Sequence, residues 1–180
     1  MVPDVTKYDW VNVYGPDDGG NYLFVKSRSV EDVLREFLVQ PESLVERSMA
    51  DILPIEPGVD VCYVAVMPDR TADWIAVGEH GSRFQSDDIL RSISHGGMAI
   101  QCGFPWGSPR ITIAVNGRVI RLIDTDHYDP ADAVPEEGGL PFREAGPQSA
   151  LMLIERITGI QMGPHWMLGP FMVAPAQLAS

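Results

Sequence analysis

The sequence predicts an α+β protein: a mainly antiparallel sheet of five to seven strands, packed on one side by about three helices. Three observations predict it. Asn116-Gly117 stands between two apolar-rich runs. This dipeptide is the strongest short-range hairpin signal, because both central residues of a type I′ turn need positive φ. Ser29 and Ser86 each precede acidic residues and a one-sided apolar stripe, the pattern of a capped amphipathic helix. The strand-like runs follow one another through short turns, which joins neighbours in antiparallel sense. With 180 residues the chain is expected to form one domain, 1–180, with a long irregular loop at 125–146.

Taken in order, residues 8–14 alternate loosely and read as an edge strand, paired with a second strand at 21–26 across a turn-rich stretch. A first helix spans 29–39, with Glu31 and Asp32 in its first turn and Val33, Leu34, Phe37 and Leu38 along one face. Pro41 restarts the chain, and Leu44, Val45, Ser48, Met49, Ile52 and Leu53 give a weaker helical pattern. Residues 60–67 are nearly all apolar and rich in β-branched side chains, which marks an inner strand buried on both faces. Residues 74–77 form a short strand ending at Gly78. The helix at 86–95 has Asp87 and Asp88 in its first turn and Ile89, Leu90 and Ile93 as its stripe, and His95-Gly96-Gly97 ends it. A strand at 98–104 leads to the hairpin. There the turn sets Val115 opposite Arg118, Ile113 opposite Ile120 and Ile111 opposite Leu122, so 111, 113, 120 and 122 share the covered face and Arg121 lies on the wet one. The last helix, 148–158, follows Pro147, is apolar nearly all round and stops at Gly159, and a final strand lies around 171–173.

Composition excludes several classes of function. Lys and Arg total 13 against 25 acids, a net charge of −12, and no basic run exists. Nucleic-acid binding through counterion release needs clustered cations, as does binding to anionic membranes, so neither partner is expected. No apolar run approaches the ~20 residues of a membrane helix. The N-terminus lacks a secretory pattern, which predicts a cytoplasmic protein. Cys62 and Cys102 sit in apolar runs without a CxxC and read as buried free thiols rather than zinc ligands. The four histidines show no i, i+4 pair, so no metal and no cofactor are expected. Glycine-rich nucleotide loops and GxSxG are likewise missing from the sequence.

The Asp73-Trp74 pair followed by Glu79, the short helix ending at Gly96-Gly97 and the Val-Asn-Gly-Arg hairpin at 115–118 resemble an uncharacterised actinobacterial family, a domain of unknown function. The opening YLFVKSRSVEDVLREFLV and the closing ERITG and GPF motifs are similar to that family as well, so the resemblance covers most of the chain. It implies an α+β fold and brings no catalytic or binding residues with it.

Four clusters carry candidate chemistry. Asp124, Asp126, His127, Tyr128 and Asp129 lie just past a strand end, where a carboxylate can orient a histidine for acid–base work; the simpler reading is a solvated loop start with Asx turns. Glu79 is a carboxylate in a cleft lined by Trp74, or an exposed turn residue beside His80. His95 reads as a cation at a helix C-terminus. Trp106, His165 and Trp166 stand on proline-bounded loops as binding anchors, or fold back on the core. The acidity and the lack of a catalytic motif favour a non-enzymatic binding protein for a basic protein partner, in the manner of an immunity or antitoxin-like protein. The alternative is a small-molecule carrier or small enzyme of actinobacterial specialised metabolism. Its pocket would be lined by Trp74, Trp106, Trp166, Tyr63 and Phe104, with Glu79, Asp126 or His127 as acid or base.

Overall fold

Strand β1 (Asn21–Lys26) lies inside a sheet whose order is β2-β8-β3-β4-β1-β5-β6-β7. The other strands are β2 (Val45–Arg47), β3 (Cys62–Val66), β4 (Trp74–His80), β5 (Met98–Gly103), β6 (Arg110–Val115), β7 (Arg118–Asp124) and β8 (Phe171–Ala176). Every neighbouring pair is antiparallel. Among the described residues the helices are α1 (Val11–Tyr14), α2 (Val30–Glu36), α3 (Asp87–Ile93), α4 (Gly146–Thr158) and α5 (His165–Leu168). The structure is a computed structural model and describes residues 3–14, 20–48, 62–67, 71–80, 87–104 and 108–176.

The α+β class and the antiparallel sheet agree with the sequence, but the sheet has eight strands rather than five to seven. Two segments expected to be something else account for the differences. Residues 45–47, expected to be helical, form β2 and pair with β8, Val45 opposite Val173. Residues 49–53 of that helical pattern lie outside the described residues, as does the expected cap Ser86. Residues 8–14 are a helical turn instead of an edge strand: a 3-10 turn, Thr6–Tyr8, followed by α1. Tyr, Trp and Val favour strands by composition. Tyr8 and Val11, three residues apart, nonetheless share the buried side of a helical turn laid against α4. Tyr8 Oη donates to Glu155 Oε2 at 2.5 Å, Lys7 Nζ lies 2.5 Å from the same oxygen, and Gln148 Nε2 donates to Asp9 Oδ1 at 3.2 Å.

The three main helices do not share one side of the sheet. Tyr22, Phe24, Ile100, Cys102, Ile111 and Ile113 face α4, whose Leu151, Leu153 and Ile154 are buried with them. Leu23, Val25, Val77, Ala99 and Ala114 point the other way, onto Val33, Leu34 and Phe37 of the α2 region and Leu90 and Ile93 of α3. The reason is in β1, where five consecutive residues from Asn21 to Val25 are buried and both parities of the strand therefore need cover. Local signals fell where expected. Ser29 Oγ accepts from Asp32 N at 3.1 Å and caps α2. Gly159 ends α4 at φ 73°.

The hairpin closes at Asn116-Gly117 with Val115 opposite Arg118, but its register then changes. Ala114 faces Val119 and Ile113 faces Arg121, so Ile120 is an extra residue, a β-bulge. Beyond it every side chain of β7 swaps face relative to the expected pairing. Arg121 and Ile123 are buried on the α4 side, while Ile120 and Leu122 are 49% and 60% exposed.

Two predictions follow from these contacts. A Cβ at Gly117, at φ +78°, would stand 2.6 Å from the His95 ring. Gly117→Ala is expected to lose about 1–2 kcal/mol in urea denaturation, the cost of left-handed backbone for a side-chain residue, plus the displacement of His95; an unchanged midpoint would contradict this packing. Burial alone would raise the Glu155 carboxyl, but the bonds from Lys7 and Tyr8 hold it below its ordinary 4.5. A carboxyl depressed by folding stabilises the native state above its unfolded value and loses that contribution as pH falls through the folded one. The stability gap between wild type and Glu155→Gln should therefore be widest near neutrality and shrink once pH drops below 4.5. A gap constant down to pH 3 would refute it.

Candidate functional site

The most elaborate polar arrangement was not among the sequence candidates. The bulge turns Arg121 inward, and its guanidinium meets Glu137 in a bidentate pair, Nε to Oε1 at 2.8 Å and Nη2 to Oε2 at 2.7 Å. Two backbone carbonyls complete its shell: Nη1 donates to Ala131 O at 2.9 Å and Nη2 to Asp129 O at 2.7 Å. The guanidinium also lies 5.7 Å from the Tyr128 ring centroid, and Tyr128 stacks on Phe142 at 4.5 Å. Glu137 Oε1 accepts from Val134 N at 3.0 Å as well. The Glu137 carboxylate pushes Arg121 above the ordinary guanidinium range. From the helix side, Arg156 Nη1 donates to Glu136 O at 2.6 Å and Gly138 O at 2.9 Å. Leu140 and Phe142 are buried in the α4-side core. The irregular stretch 125–146 is thus tied to β7 by one arginine and to α4 by another. Its only regular element among the described residues is the 3-10 turn Pro135–Glu137.

The cluster around His127 takes the simpler of its two readings. Asp124 Oδ1 accepts from Asp126 N at 3.1 Å, and Asp124 O accepts from His127 N at 3.1 Å. Asp129 Oδ1 does the same for Ala131 N at 2.9 Å. These are Asx turns at the head of the loop. Burial pushes the Asp124 carboxyl up, but bonds from Asp126 and His127 hold it below the ordinary range. His127 Nδ1 is 3.5 Å from Asp124 Oδ1, yet the side chain is 84% exposed, so nothing encloses the pair around a substrate.

Glu79 is buried rather than in an exposed turn, and Asn21 Nδ2 donates to its Oε2 at 3.4 Å across the β1–β4 pair. With Asn21, Phe37, Leu90 and Gln101 it lines a cavity of about 20 Å³. That is room for a water molecule, not a metabolite. Asn21 Oδ1 is buried there without a hydrogen-bond partner. Trp74 does not line this cavity. It packs on the α4 side, and Glu79, five residues along the same strand, points to the opposite face. Trp166 is fully buried, stacked on Phe24 at 5.8 Å and edge-on to Tyr22 at 5.7 Å. Phe104 and partly buried Tyr63 belong to the same core. Four of the five aromatics expected around a ligand pocket therefore gather together, but as packed core. The fifth, Trp106, lies outside the described residues. His165 is exposed beside Gly163, and His95 sits over Gly117 of the hairpin turn.

Cys102 is buried and free, and burial pushes its thiol well above the usual range. Cys62 lies on β3, with β4 and β1 between it and Cys102 on β5. Three inter-strand steps amount to about 14 Å, twice the reach of a disulfide. Among the described residues no group of three or more His, Cys, Asp or Glu stands together as a metal site, and no helix is long and apolar enough to cross a membrane.

Compared with family models, curated proteins and solved structures, the chain matches none. The class of the molecule therefore rests on its own geometry: an antiparallel sheet covered by helices on both faces, with an acidic loop latched onto one edge by a buried ion pair.

Breaking that latch has a measurable signature. Arg121→Met leaves Glu137 buried without its counter-charge and is expected to cost about 3–5 kcal/mol, whereas Arg121→Met with Glu137→Leu should cost clearly less than the two single changes added. Urea denaturation of the four proteins tests this, and additive losses would sink it.

Proposed function

We propose that the protein is a non-enzymatic binding protein whose acidic surface engages a basic protein partner, in the manner of an immunity or antitoxin-like protein. The observation that carries this reading is the latched loop. Its buried side holds Glu137, Leu140 and Phe142, while Asp126, Asp129, Asp132 and Glu144 are exposed with Arg143 as the one exposed arginine among them. Acids presented on a tethered backbone need little ordering on association, which favours affinity. A chain of net charge −12 also draws a basic partner by long-range steering. The rival reading, a small-molecule carrier or enzyme, has less behind it. The Trp74, Trp166, Tyr63 and Phe104 side chains it would use are spent on the core, and the carboxylate it would use faces a water-sized cavity.

The test is native mass spectrometry of the protein purified from its own cells, alongside the Asp126→Asn, Asp132→Asn, Glu144→Gln triple variant. Asp129 is left intact because it bonds Ala131 N. A basic protein should accompany the wild type, dissociate as salt is raised, and bind the variant about tenfold more weakly, a loss of ~1.4 kcal/mol. A retained metabolite, or a partner held equally by the variant, would overturn the reading.

A further inference from the structure

Strand β7 ends the sheet. Its inner edge is paired with β6, and among the described residues one backbone hydrogen bond reaches its outer edge, at the very end of the strand, where His127 N donates to Asp124 O at 3.1 Å. The alternation of its amides is set at one end, where Thr125 N donates to Pro109 O at 3.2 Å, toward β6. Counting back, the amides of Ile123 and Arg121 also point to β6, so the N–H and C=O of Leu122 and the C=O of Ile120 point outward, while the Ile120 N–H belongs to the bulge and lies outside this alternation. The side chains of those same two residues are the exposed apolar ones, 60% and 49%. Natural edges are blunted by shortness, lysine or proline. The opposite edge follows that rule, since β2 has three residues and carries Glu46 and Arg47. β7 has seven residues and neither lysine nor proline; of the other devices that protect edges it has a bulge and the inward-pointing Arg121, and both lie before Leu122.

We propose that β7 is the seam of a symmetric dimer, in which two copies join their outer edges antiparallel about a two-fold axis at Arg121. The register follows from the sequence of the strand, RVIRLID. With the axis at Arg121, Ile120 lies opposite Leu122 of the second copy and Leu122 opposite its Ile120. In each such pair the Leu122 N–H of one copy meets the Ile120 C=O of the other, and two exposed apolar side chains are covered. The same axis sets the Arg118 end of each strand beside the Asp124 end of the other. Shifting the axis by one residue loses both matches, putting Leu122 against Arg118 or Ile120 against Asp124. The residue on the axis is itself a cation, but Glu137 already neutralises it and holds it on the α4 side. The chain as a whole is strongly acidic, yet on this strand, with Arg121 neutralised by Glu137, one arginine balances one aspartate, so the strand itself adds no net repulsion to the seam. The contact is isologous, the commonest closed symmetry for a soluble oligomer.

Sedimentation velocity at micromolar concentration, with hydrogen exchange read at the Leu122 amide, tests this. The wild type is expected at twice 19.8 kDa, more so as salt screens the net charge. Leu122→Lys and Ile120→Lys each should return it to a folded monomer with unchanged circular dichroism, since both side chains are exposed in the single chain, and with a thermal midpoint that no longer depends on protein concentration. In the wild type the Leu122 amide should exchange at least ~tenfold more slowly than in the Ile120→Lys monomer, because its only route to protection is the seam. The pair of variants keeps the test alive should one fail to fold. A wild type that stays monomeric, a dimer that survives both lysines, or a dimer in which the Leu122 amide exchanges freely would each overturn the proposal.

Discussion

The whole structure turns on burial of the sheet from both sides. β1 runs through its middle with Tyr22 and Phe24 committed to one face and Leu23 and Val25 to the other. Neither layer can be removed without exposing aromatic or branched side chains on an inner strand, so α4 with the N-terminal turns and α2 with α3 are both obligatory cover. The connection from β4 to β5 illustrates how this is met. Both strands pair antiparallel with β1, so they run the same way on either side of it, and α3 lies in the link between them. Parity along each strand then decides the environment of every residue, including the separation of Trp74 from Glu79.

The second constraint is local and concerns one residue. Without the bulge, Ile120 and Leu122 would face the core and Arg121 the water, which is the cheaper arrangement by hydrophobicity alone. The structure buries the arginine because four of its hydrogen bonds are met in one place, two by Glu137 and two by the carbonyls of Asp129 and Ala131. A buried pair of this kind adds little net stability over apolar replacements, but it ties a strand to a defined loop conformation. The consequence appears on both sides of β7. Inward, a proline-rich acidic stretch acquires an anchor. Outward, two apolar side chains are left on the terminal strand. The loop's anchor and the exposed Ile120 and Leu122 side chains are products of the same one-residue insertion.

Much of the framework was legible in the residues. The Asn116-Gly117 turn, the Ser29 cap, the inner strand at 62–66 and the helix ended by Gly159 each rest on interactions within a few residues, and each stands where the local pattern puts it. The errors had a common cause. Residues 8–14 and 45–47 are short segments whose composition suits either state, and docking onto α4 or pairing with β8 made the choice. At the candidate site, the Asx turns around Asp124 were readable because such turns are local. Glu79 and Asn21 were not recognisable as partners, since 58 residues separate them in the chain and only the β1–β4 register brings them together. Their faces are written in the spacing: residues 74 and 79 differ by an odd number, which alone puts Trp74 and Glu79 on opposite faces of a strand.

By itself, then, the amino-acid sequence determined the α+β class, the antiparallel sense, most element positions and the net charge of −12. These follow from periodicity, turn chemistry and net charge, which need no knowledge of distant contacts. Only the tertiary structure decided which face each helix covers, that the hairpin carries a bulge, and that Arg121 and Glu137 close the loop at 125–146. Those outcomes depend on which surfaces remain open once the sheet is assembled. A buried charge is tolerated only where a counter-charge from another part of the chain already waits.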